Sequence, residues 1–212
     1  LITSVRGRWH CRLPPLRLGR VLHAFSLRDF RASAFGYFGH QWELYAFWTI
    51  APALIVASGL AAPGTLSLSG LAFATVGIGA LGCVAGGFLS QRIGSARVAA
   101  LALATSALCC AVFPFTGAWP DGLRIGLLLL WGFSVVADSP HFSALSARAA
   151  PPEIVGSALA FQNAIGFAIT MVSIQLATRW IGDWGLSIAW LLLPGPLLGL
   201  LGLFPLWRRP AG

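Results

Sequence analysis

The sequence predicts an all-α integral membrane protein, a bundle of six transmembrane helices, and three observations carry that expectation. Only 9% of its 212 residues are charged and 57% are hydrophobic, whereas a soluble domain normally carries about a quarter charged residues. The apolar residues fall into six long stretches, each near the ~20 residues that cross ~30 Å of hydrocarbon. The arginines gather at the ends of those stretches rather than inside them. Because the apolar residues run continuously instead of alternating, helices are favoured over barrel strands.

The chain opens with a basic segment, 1–32, which holds seven of the fourteen arginines and no lysine. It superficially resembles a transit peptide. Pro14-Pro15 breaks any long amphipathic helix there, and a cytoplasmic linker is the preferred reading. The opening Leu1, in place of Met, suggests a preceding segment. The first span is placed at 33–58 and ends in a turn at Ala62-Pro63-Gly64. The second covers 66–90 and the third 98–116, closed by Gly117-Ala118-Trp119-Pro120-Asp121-Gly122. The fourth begins near 123, and composition leaves its end open between Ala137 and Arg148. The fifth covers 154–178 and the sixth 186–207, with a tail at 208–212. Pro52, Pro114, Pro140, Pro194 and Pro196 fall inside spans, where they should bend the helix.

A net charge of +8 would suit a nucleic-acid binder, but the distribution excludes that class. With the N-terminus inside, twelve arginines fall on the cytoplasmic side, and Arg124 and Arg179 on the other. That is the positive-inside pattern, and it supports an even number of spans, since both basic ends fall on one side. Both termini are therefore expected in the cytoplasm of a multi-pass protein of the plasma (inner) membrane. Cys11, Cys83, Cys109 and Cys110 form no C-x-x-C pair and read as small buried hydrophobes. No metal site or cofactor is expected. Enzyme chemistry is also not expected: His40-Gln41-Trp42-Glu43 lacks the second histidine of a zinc helix, and no phosphate loop or Ser-His-Asp order occurs.

Polar side chains inside the bilayer cost a few kcal/mol each and mark function by default. They concentrate in two spans. The first carries His40, Gln41, Glu43 and Tyr45; the fourth carries Asp138, Ser139 and His141. His40 and Glu43 are three apart on one helix face, as are Asp138 and His141. Each has a plain alternative: a packing pair for His40–Glu43, and a cap on a backbone break at Pro140 for Asp138. In span five, Gln162 and Asn163 can reach a cavity or join two helices. Gly82-x-x-x-Gly86 and Gly195-x-x-x-Gly199 read as packing notches.

Between spans two and three stands Gly87-Phe88-Leu89-Ser90-Gln91-Arg92-Ile93-Gly94-Ser95-Ala96-Arg97. This resembles the signature loop of the major facilitator superfamily, with Gly87, Arg92, Gly94 and Arg97 in place and Gln91 where the family usually has an acid. Physically it must be a tight turn at the basic end, with glycines allowing close approach. Residues Gly132 to Gly156, with Pro140 inside and Pro151-Pro152-Glu153 at the turn, resemble that family's helix ten, loop and helix eleven, which extends span four to 123–148. The resemblance covers residues 30–207. It implies that the six spans are the C-terminal half of a twelve-helix secondary transporter, with an N-terminal six-helix half as partner. It also implies that spans one and four line the transport cavity, the same two spans that the polar residues select.

The expected function is transport of a small solute by alternating access. Glu43 and Asp138 would accept protons or a cationic substrate, with His40 and His141 as relays. The alternatives are a non-transporting membrane scaffold or assembly subunit using the same bundle, and an intramembrane enzyme.

Overall fold

A computed structural model describes residues 18–208 of the chain. Expectations for 1–17 and 209–212, including most of the basic linker, Cys11 and the end of the tail, lie outside the described residues. Within them the regular structure is helical, without strands. A short α1 (Leu18–Ala24) precedes α2 (Arg28–Ala57), α3 (Leu66–Ile93) and α4 (Ser95–Val112), which continues as a 3-10 turn at Phe113–Ala118. Next come α5 (Asp121–Ala137), α6 (Ser139–Ala149) and α7 (Val155–Trp184). A second 3-10 turn (Gly185–Ile188) leads to α8 (Ala189–Leu192) and α9 (Pro194–Trp207).

Four segments are long and apolar enough to cross a bilayer: Leu66–Ile93, Ser95–Ala118, Asp121–Ala149 and the 53-residue run Val155–Trp207. The last is turned at Gly185, whose φ of +51° suits a residue without Cβ. α2 has the length, 30 residues, but its polar His40–Glu43 stretch lowers its hydropathy. Large apolar side chains point outward all round, among them Leu66, Phe73, Met171 and Leu201, while His40, Glu43 and Asp138 are buried. That inversion of a soluble protein's polarity fits lipid as the solvent.

The α2 helix is the hub, packing on α9, α7, α6 and α3; α3 packs chiefly on α5, and α4 on α5 and α9. Small residues set how closely these helices approach. A Cβ on Gly39 would collide with the Gly195 carbonyl and the Gly199 backbone, and one on Gly132 with the Thr75 carbonyl. On α3 only Thr75, Gly79, Gly82 and Gly86 are buried, a stripe seated against Phe133, Val136 and Ala137. Both G-x-x-x-G notches are thus contact surfaces, as small residues allow in lipid, where apolar burial gives little association. A mid-bundle core joins Phe47, Phe113, Leu54, Trp131 and Ile188, with Trp131 stacked on Phe47 at 4.4 Å between ring centroids.

The turn between α3 and α4 is a single residue. α3 ends at Ile93, α4 begins at Ser95, and Gly94 joins them with φ +85°. Gly87 does not mediate close approach, since a Cβ there would meet open space; the preceding Gly82 and Gly86 do. The prolines are also placed differently from a simple bend. Pro52 lies within a continuous α2, whereas Pro114, Pro140 and Pro194 occupy first-turn positions of new helical segments. A first turn is where a missing N–H costs nothing.

Candidate functional site

His40 and Glu43 do not pair with each other as their spacing suggests; each pairs with a neighbouring helix. His40 and Glu43 share a face, but that face meets two different neighbours. His40 Nε2 lies 2.8 Å from Ser139 Oγ, and His40 Nδ1 lies 2.8 Å from Asp138 Oδ1. The second contact is at ion-pair distance but off the direction of a ring N–H, so neither atom gains a hydrogen bond from it. Its attraction is therefore coulombic and is present only when the imidazole is protonated. His40 is 2% exposed and Asp138 1%.

Asp138 occupies the junction between α5 and α6, ending one and starting the other. Its carboxylate makes no cap hydrogen bond to the α6 backbone. Instead its main-chain carbonyl accepts from the N–H groups of His141 and Phe142. The side chain is thus free of the capping task and turned to α2, and Oδ1 is a buried acceptor without a hydrogen bond. His141 is buried with its Nε2 against the Gly86 backbone, where it makes no well-directed hydrogen bond among the described residues. Orphaned buried polar atoms are uncommon because each costs about 1–3 kcal/mol.

Glu43 sits in a different, closed environment. Trp131 Nε1–H donates to Oε1 at 2.7 Å, Ser106 Oγ donates to Oε2 at 2.9 Å, and the Cys110 thiol donates to Oε1 at 3.3 Å. The carboxylate thereby ties α2 to α4 and α5. None of these three donors stood out in the sequence. Cys110 read as a small buried hydrophobe, and Trp131 and Ser106 drew no expectation; the available signal was an otherwise costly acid that needs donors from neighbouring helices. Cys110 is accordingly more than a small hydrophobe, and Cys83 donates to the Val136 carbonyl at 3.4 Å.

The remaining residues are more dispersed. The Gln41 amide donates to the Tyr37 hydroxyl, the Thr170 hydroxyl donates to the Gln41 carbonyl at 2.9 Å, and Gln41 Oε1 has no partner. Tyr45 is half-buried against Trp48 and Phe167. Gln162 is buried on α7 with Oε1 unpartnered, whereas its neighbour Asn163 is exposed. At the turn, Gln91 and Arg92 are exposed and Arg97 is half-buried. Among the described residues no three His, Cys, Asp or Glu side chains converge as metal ligands would.

Of the nine arginines within the described residues, Arg20, Arg28, Arg31, Arg92, Arg97, Arg148 and Arg208 fall at one end of the bundle, and Arg124 and Arg179 at the other. Arg124 donates to the Ser58 carbonyl and pairs with Asp121, which ties the start of α5 to the end of α2. No family model matches the chain, and no curated protein or solved structure matches it.

Proposed function

We propose that the chain forms the six-helix C-terminal half of a secondary transporter of the major facilitator type, moving a small solute by alternating access together with an N-terminal six-helix half. The observation that carries this reading is the His40–Asp138 contact, buried at mid-bundle and joining α2 to the junction of two helical segments. A junction between helices supplies a joint, and a buried acid–base pair supplies a charge that can change. Protonating Asp138, or delivering a cationic group to its carboxylate, removes its negative charge beside His40. That alters what holds α2 to the α5–α6 junction and biases one arrangement of the joint over the other. Ser139 holds the imidazole, and His141, two residues further along α6, serves in this reading as a relay. The bilayer is the solvent, both ends of the chain lie at the basic, cytoplasmic face, and six spans are formed by α2, α3, α4, α5–α6, α7 and α8–α9.

One observation favours the scaffold reading instead. Glu43 has three donors of its own, which is how a packing residue is treated. Uptake measurements separate the two. Vesicles containing this chain with its partner half, offered a panel of small polar solutes, should accumulate at least one of them. Replacing Asp138 by Asn should abolish that accumulation with the protein still folded. No accumulation of any solute by folded, correctly oriented wild type would leave the scaffold.

A further inference from the structure

The basic end of the bundle carries a feature that the proposed transport mechanism does not use. Between α4 and α9 runs a trough of about 550 Å³ whose floor is apolar, including Ala100, Leu101, Ala104 and Leu200. Arg97 and Arg208 flank it together with Trp207. Arg208 is exposed and lies over the Phe204 ring, 4.5 Å from its centroid. Arg97 is half-buried and has interactions of its own within the fold. Trp207 is half-buried beside them.

These pieces match one molecule. An apolar floor at the membrane boundary takes an acyl chain, and two guanidiniums take a phosphodiester. We propose that the trough between α4 and α9 is a binding site for an anionic phospholipid of the arginine-rich leaflet, held by Arg97, Arg208 and Trp207. A zwitterionic lipid would fill the same floor, but its own cation opposes the two guanidiniums. The site rests on membrane embedding alone, so failure of the transport reading leaves it standing.

The purified chain in detergent, titrated with phosphatidylglycerol or phosphatidylcholine and read by native mass spectrometry, tests the site. Wild type should bind phosphatidylglycerol more tightly. Arg208→Gln should weaken that binding about fivefold, the equivalent of about 1 kcal/mol per arginine near a charged headgroup, with phosphatidylcholine unchanged. Ala104→Phe, an exposed position that fills the floor, should weaken both lipids. Arg31→Gln, an exposed arginine at the same end but outside the trough, should change neither. Equal binding of the two lipids by wild type would overturn the proposal. So would equal losses from Arg31→Gln and Arg208→Gln, which would mean diffuse attraction. Displacement of phosphatidylglycerol by inorganic phosphate would overturn it too, by showing a site for the free anion.

Discussion

Glu43 and Asp138 are both buried acids in an apolar bundle, and their surroundings divide the work between them. Three donors from α4 and α5 satisfy Glu43, whereas Asp138 keeps an oxygen without a hydrogen bond beside an imidazole it can attract. Trp131→Phe keeps the stack on Phe47 but removes the N–H from a buried carboxylate. It should lower stability by about 1.5–3 kcal/mol, the usual value of a hydrogen bond to a charged group, read as a shift in the unfolding midpoint of the detergent-solubilised protein. Glu43→Gln tests the same clamp from the other side. Gln holds the shape but cannot accept on both oxygens, so the donors from Ser106 or Cys110 lose a partner. A packing role predicts lost stability with solute accumulation retained, whereas a coupling role predicts normal folding with accumulation lost. That α2 and the α5–α6 pair carry acids and histidines at costly positions was readable from the sequence, and these side chains are buried. Which of them meet was not readable. Spacing three along a helix identifies a shared face but not the neighbour opposite it, and the His40–Asp138 pairing depends on how α2 rotates against the α5–α6 junction.

At the scale of elements, glycine is the clearest link from sequence to packing, and its effects differ by position. Gly39→Ala should destabilise, because the new methyl meets the backbone of α9, which cannot swing aside as a side chain can; overpacking of this kind typically costs about 1–3 kcal/mol. Gly94→Ala should destabilise for a separate reason, a φ of +85° in a one-residue turn. Gly87→Ala should be neutral or stabilising by up to about 1 kcal/mol, since it sits in a helix facing open space. Thermal melting of the three variants orders them, and a Gly39→Ala variant as stable as Gly87→Ala would refute the close α2–α9 contact. The stretches 66–90 and 98–116 were legible because apolarity and flanking charge mark their limits, and the helices run a few residues beyond them. The division of the fourth stretch at Asp138 was less legible. Pro140 signals a break, but the same proline would also fit a kink within one helix.

At the scale of the whole molecule, the arginines separate the two ends of the bundle, and the short connections between α2, α3, α4 and α5 make the chain run back and forth between them. Reporter fusions after Gly212 and at Pro63 should therefore report opposite compartments; the same compartment for both would overturn the six-span topology. The apolar surface was predictable from composition, because lipid imposes it on any chain with so few charges. The lipid trough was not, since Arg97, Trp207 and Arg208 come together only through the packing of α4 against α9. The central claim is that charge at Asp138 couples solute movement to a change in the bundle. The most direct measurement compares uphill accumulation with solute exchange at equilibrium in vesicles containing the completed transporter, for wild type and Asp138→Asn at matched expression. The account predicts that accumulation falls by about tenfold or more, a change of ~1.4 kcal/mol or greater, while exchange persists. Wild-type accumulation in the Asn variant would contradict it.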